Sequence, residues 1–184
     1  MKGFIMIDLF LANGFEEIEA LAPLDLLRRA GIPVTTVGIG GAGITGAHGI
    51  SVRADVADTD YRYQSPRMII LPGGMPGTLH LAASEVVTDA IEQANKENAY
   101  IAAICAAPSI LGDMGLLAGK EAICYPGFED RLSGAILSHH RVVKDGTIVT
   151  AAGMGVAIEF GLTLVEILCG EDKAKELRRA VLAD

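Results

Sequence analysis

Three short segments carry residue types that can do chemistry, and each follows an apolar run. They are Asn13-Gly14-Phe15-Glu16-Glu17-Ile18-Glu19, Leu71-Pro72-Gly73-Gly74 and Ala103-Ile104-Cys105-Ala106-Ala107-Pro108. The third is the most informative. A cysteine placed where a strand turns sharply into a helix, among small neighbours, has the layout of a nucleophile elbow, which lifts the side chain clear of the sheet. The helix N-terminus then offers partial positive charge to a thiolate. That help is bounded at about 2 kcal/mol, or roughly 1.4 pKa units below the free-thiol value near 8.5, so a strongly acidic thiol needs a further donor. No His or Lys adjoins Cys105. A carboxylic acid kept neutral by desolvation can serve instead, and Glu16, Glu17 and Glu19 are the acids at a neighbouring strand end. Glu16 and Glu19 share a helix face by i,i+3 spacing while Glu17 points elsewhere, and spacing alone does not choose among them.

The other motifs carry blander readings. Carboxylates in a first helical turn complement the macrodipole. Gly73-Gly74 is a turn whose free N–H groups also suit a developing oxyanion. Ser138-His139-His140 suggests a triad or a metal site, but adjacent residues on an extended segment point to opposite sides, and a solvated loop is expected. The glycines from Gly38 to Gly43 lack the spacing of a dinucleotide or phosphate-binding fingerprint. Cys124 and Cys169 read as core residues.

These residues are positioned by a rhythm of apolar runs and amphipathic segments. Strands are expected at Phe4 to Phe10, Val34 to Ile39, Met68 to Leu71, Tyr100 to Ile104 and Ala122 to Tyr125. Arg141 to Val143 and Thr147 to Thr150 flank a hairpin turn at Lys144-Asp145-Gly146. Helices are expected from Glu16 to Ala30, from Ser84 as N-cap to Asn98, from Ala106 to Leu117, and over Val156 to Leu168 and Lys173 to Ala180, with a short one at Gly127 to Leu132. Pro23 predicts a bend or restart in the first helix. Gly38 to Gly49 predicts a loop or hairpin, with strand material near Ile50 to Val56. The alternation implies one α/β domain with a mostly parallel sheet covered on both faces, and function at the carboxyl ends of its strands.

Composition agrees with one packed domain. The chain has 184 residues, 51% hydrophobic and 21% charged, with a formal charge of −8. That balance argues against a nucleic-acid groove or a membrane-surface patch, both of which need concentrated Lys and Arg. Three scattered cysteines form no disulfide framework, so a reducing cytoplasm is expected. Asp8 interrupts the apolar run Gly3 to Ala12, and Glu16, Glu17 and Glu19 follow too soon for a targeting signal.

At these motifs the sequence resembles the ThiJ/PfpI superfamily, in the branch of the Parkinsonism-associated deglycase and bacterial YajL. The likeness runs nearly end to end. It covers Gly14 to Glu19, Leu71 to Gly74, Ala102 to Pro108, Cys124-Tyr125-Pro126, Lys144 to Gly146, Thr150 to Gly155, and Glu159-Phe160. It implies a flavodoxin-like α/β/α sandwich, usually a homodimer. It also implies a reactive Cys105 hydrogen-bonded to a protonated Glu19, with oxyanion donors at the backbone N–H groups of Gly74 and Ala106. The activities implied are cofactor-independent conversion of methylglyoxal to lactate and repair of glycated groups, with neither metal nor cofactor. Redox sensing through oxidation of Cys105 to the sulfinic acid and a chaperone role form the alternative.

Two departures matter. Hydrolases of the superfamily carry a histidine directly after the cysteine, and here Ala106 stands there, so the base for a Cys-His hydrolase is missing. The animal deglycases carry a histidine where this chain has Tyr125. Its hydroxyl can donate a hydrogen bond to a ligand, but a pKa near 10 makes it a poor general base.

Overall fold

The computed structural model describes residues 6–183, and the expected strand residues Phe4 and Ile5 and the run from Lys2 lie outside them. The main sheet contains β1 (Ile7–Ala12), β2 (Val34–Ile39), β5 (Val56–Ala57), β6 (Met68–Leu71), β7 (Tyr100–Ile104), β10 (Val142–Asp145) and β11 (Ile148–Ala151). Their spatial order is β10-β11-β7-β6-β1-β2-β5, with every neighbouring pair parallel except β10 with β11. The chain winds outward from β1 first toward β2 and then toward β6, so the direction switches between β1 and β6. Loops at such a switch point splay apart and leave a crevice. A hairpin of β3 (Gly43–Thr45) and β4 (Ser51–Arg53), and a parallel pair of β8 (Glu121–Ala122) with β9 (Ile136–Leu137), stand outside this sheet.

Alternation along β1 explains the two layers. Ile7, Leu9 and Leu11 face a core completed by α1 (Glu17–Arg29), α5 (Ala157–Cys169) and α6 (Glu171–Ala180). Phe10 and Ala12 face the core under α2 (Gly77–Ala82), α3 (Glu85–Lys96) and α4 (Pro108–Asp113). Covered on both faces, the strands need unbroken apolar runs rather than alternation with polar residues.

Several boundaries differ from expectation for local reasons. β1 extends to Ala12 because β2 pairs with it in register as far as Ile39. α1 runs through Pro23 without a restart. The close approach of α5 holds it there, since a Cβ at Gly161 would lie 2.9 Å from Pro23 Cα and 2.7 Å from Leu26 Cδ1. α4 ends early, at Asp113, because Gly115 adopts φ +73° and closes a Schellman motif, Leu116 N–H donating to Leu111 O at 3.0 Å. β8 stops at Ala122, and Gly127 to Leu132 holds only a 3-10 turn at Glu129–Arg131. α2 went unread because six residues are too few to show a helical period. No helix among the described residues is long and apolar enough to cross a membrane.

The α1–α5 contact tolerates no added volume. Gly161→Val is expected to lower folding stability by about 1–3 kcal/mol in a denaturant titration, despite the better helix propensity of valine.

Candidate functional site

Cys105 is the first residue past β7, and its backbone adopts φ +65°. A side chain in this left-handed region is strained and persists only where neighbours over-determine it. Here they do. Cys105 N–H donates to Ala151 O at 2.9 Å, and Cys105 O accepts from Tyr125 N–H at 2.8 Å, so the turn is clamped between the end of β11 and the segment after β8. The elbow expected from the sequence therefore exists, and it leaves the thiol half-buried at the carboxyl ends of the strands.

The three acids of the neighbouring strand end have separate tasks. Glu16 is the N-cap of α1, its Oε2 accepting the Glu19 N–H at 2.7 Å. Glu17 is buried and holds the β3–β4 loop, accepting from His48 N–H at 2.7 Å and bonding His48 Nδ1 at 2.8 Å. Burial opposes its charge, but these hydrogen bonds prevail and keep the carboxyl below the usual range. Glu19 is fully buried and faces Cys105. Its Oε2 accepts the Gly73 N–H at 3.1 Å, and the thiol and the Met154 N–H also bear on the carboxyl. The choice that spacing left open thus falls on Glu19.

Gly73 supplies the space between them. A Cβ there would lie 2.6 Å from Glu19 Oε2 and 2.7 Å from Cys105 Cβ, so any side chain would wedge the pair apart. The backbone N–H groups of Gly74 and Ala106 bear on the sulfur and favour its anion. Tyr125 is half exposed, with its ring beside Gly153. The contribution of Gly153 and Met154, from the end of β11, was not read beforehand. Their motif was visible in Thr150 to Gly155, but only the fold brings it over Glu19.

Electrostatics couples the two reactive groups. Burial pushes the Glu19 carboxyl up to about 7, and the Glu16 charge adds to this. Burial and the Glu19 carboxylate push the Cys105 thiol up, against the pull of the Ala106 and Gly74 N–H groups. The acidic thiol expected with the help of a neutral acid is not what this balance gives while Glu19 is ionised: a helix terminus does not outweigh desolvation beside a second anion. Each group opposes ionisation of the other: above about pH 7 an ionised Glu19 keeps the thiol protonated, so a thiolate at Cys105 requires Glu19 to hold its proton. Glu19 Oε1 is buried without a well-aligned partner, which is costly for a carboxylate oxygen and relieved by a proton.

Cys124 is buried in the core as expected, and burial with the Glu129 charge pushes its thiol up to about 11, whereas Cys169, also expected in the core, is exposed at the last residue of α5. Ser138 donates to Glu121 Oε1 at 2.5 Å and accepts the His140 N–H at 3.0 Å, which engages its hydroxyl away from any imidazole.

Comparison with known proteins places the chain among relatives of the same fold. The model of the DJ-1/PfpI family matches residues 6–167. The chain is 38% identical over 176 residues to protein DJ-1 homolog A of Arabidopsis thaliana, covering 94% of this chain but 45% of that protein, so it spans less than half of the plant relative's length. It is 33% identical over 164 residues to glutathione-independent glyoxalase DJR-1.2 of Caenorhabditis elegans, covering 88% of this chain and 87% of that one. Oxidized Toxoplasma gondii DJ-1 superposes with a TM-score of 0.93 at 33% identity, over 97% of this chain and 98% of that one.

The buried carboxyl makes stability depend on pH with a definite sign. Below pH 4.5 Glu19 is protonated whether the chain is folded or not, whereas between 4.5 and about 7 only the folded chain keeps the proton. Its contribution therefore falls as pH rises through that window, by up to about 3 kcal/mol. Denaturant titrations across this range should show Glu19→Gln gaining stability relative to the parent as pH rises; parallel curves would contradict a neutral Glu19.

Proposed function

Because the chain belongs to the DJ-1/PfpI family, we propose that it is a cysteine-dependent enzyme of the glyoxalase type. It acts on small reactive 2-oxoaldehydes without a cofactor and converts methylglyoxal to lactate. The observation that carries this reading is the placement of Cys105, on a left-handed turn at the end of β7, against the buried Glu19 carboxyl across Gly73.

In the reaction, the Cys105 thiolate adds to the aldehyde carbon, and the carbonyl oxygen takes the proton of Glu19 to give a hemithioacetal. The Glu19 carboxylate so formed removes the hydrogen from that carbon. The resulting enediolate oxygen is held by the backbone N–H groups, the hydroxyl proton of the sulfur-bearing carbon passes to that oxygen, and Glu19 returns its proton to the adjacent carbon. The product is a lactoyl thioester on Cys105, and water hydrolyses it to lactate with return of the thiol. No net oxidant is needed, because one carbon is oxidised as its neighbour is reduced. A carboxyl held near 7 by burial is suited to both giving and taking a proton. Tyr125, half exposed beside the site, is assigned to substrate contact.

The same reading includes a homodimer in the cytoplasm. Ile18 and Ile50, close to the Glu17 clamp, stand exposed together with Ile158 of α5. A second copy packing there would cover them and bring another chain beside the site.

A second reading is favoured by the donors around the sulfur. Two N–H groups and an acid can hold the oxygens of a cysteine sulfinate, making Cys105 a redox sensor with a stress-protective role. A hydrolase is disfavoured, because among the described residues no imidazole bears on the Cys105 thiol.

Lactate formation from methylglyoxal should vanish in Cys105→Ala and fall by about a hundredfold or more in Glu19→Gln. Turnover that survives in Cys105→Ala would overturn the enzyme reading. Negligible turnover in the parent, with a gain of two oxygens on Cys105 by intact mass after mild peroxide, would favour the sensor.

A further inference from the structure

The opposite end of the sheet holds a feature that the Cys105 chemistry does not use. Asp8, the residue that interrupts the first apolar run, lies on the same face of β1 as Phe10 and Ala12, yet it is only 7% exposed. It forms part of the wall of a cavity of about 270 Å3 shared with Thr35, Val56, Asp60, Tyr61 and Arg62. The sheet register places this cavity far from the reactive cysteine. Asp8 lies level with Ile69 and Ile101, and Cys105 is four residues beyond Ile101, or roughly 13 Å along the strand direction and two strands across.

Among the described residues the carboxylate has one hydrogen-bond partner, the Tyr61 hydroxyl, which donates to Oδ2 at 2.7 Å. Tyr61 is itself fixed edge-on to Phe10, ring centroids 5.4 Å apart. Among the described residues no cation pairs with Asp8. Arg62 lines the cavity, but its Nη1 donates to Thr59 O at 3.0 Å and Tyr61 O at 2.6 Å. A second carboxylate, Asp60, sits on the same wall. Buried charge without a counter-charge is costly, and burial accordingly pushes the Asp8 carboxyl up, only partly offset by Tyr61. An apolar residue here would extend the row begun by Phe10 and Ala12 without that cost.

We propose that this cavity is a binding site for a small organic cation, an ammonium or guanidinium head that pairs with Asp8 and packs against the Tyr61 ring. The acidic wall selects the charge, and the ring adds a cation–π contact. The volume lies just below the roughly 300–1,000 Å3 of drug-sized sites, which limits the occupant to a compact molecule.

Isothermal titration of the full chain at neutral pH tests this with butylammonium chloride, butylguanidinium chloride and uncharged butanol as probes. At least one cation should bind saturably and butanol should not. Binding should weaken by about tenfold or more in Asp8→Asn. Thr35→Leu, which fills the cavity and spares the Asp8–Tyr61 bond, should abolish it, and it carries the test if Asp8→Asn fails to fold. Cys105→Ala should bind as the parent does, and Thr35→Leu should leave lactate formation unchanged, so this proposal and the proposed activity stand or fall separately. Absence of saturable binding by either cation, or unaltered binding in Thr35→Leu, would overturn it and leave Asp8 as an anchor for Tyr61 alone.

Discussion

Mutual opposition to charge between a buried carboxyl and the thiol it faces is the constraint on which the site depends. Two desolvated anions in contact are excluded, so the ionisation of Cys105 is set by whether Glu19 keeps its hydrogen. Every local oddity around the site serves that contact. Cys105 is held in a left-handed conformation. Gly73 has no side chain because its Cβ would occupy the gap. Glu16 caps the helix that delivers Glu19. The α1–α5 seam then fixes the depth at which that helix sits. Reactivity therefore comes from the placement of neutral and partly charged groups rather than from a strong base.

The fold was largely legible because its strands are buried on both faces and read as continuous apolar runs. The hairpin at Gly146 and the helix stop at Gly31 were legible from turn chemistry alone. Local signals failed where a tertiary contact overrode them, as when α1, packed closely against α5, continues through Pro23 without a restart. A boundary failed where a stop signal was present but unread, as at Gly115.

The site was legible in part. The strand-to-helix position of Cys105 marked it, but nothing in the spacing of Glu16, Glu17 and Glu19 says which one reaches the sulfur. That depends on where the hairpin folds back, since Glu17 is claimed by His48, 31 residues away in sequence. The ionisation state was the least legible property. Helix-terminus reasoning gives only a bounded downward pull on the thiol, whereas burial beside a carboxyl is a three-dimensional quantity that no local pattern encodes.

At the start of α1, four consecutive side chains have four different destinations: Glu16 turns back on the backbone, Glu17 reaches the hairpin, Ile18 faces outward and Glu19 enters the core. A helix advances about 100° per residue. Inserting or deleting a single amino acid there would rotate each of them onto its neighbour's heading, stranding a carboxylate outside and driving an isoleucine toward the sulfur. This stretch can accept changes of letter but not of length, and over long divergence it should serve as a fixed ruler against which the looser loops are measured.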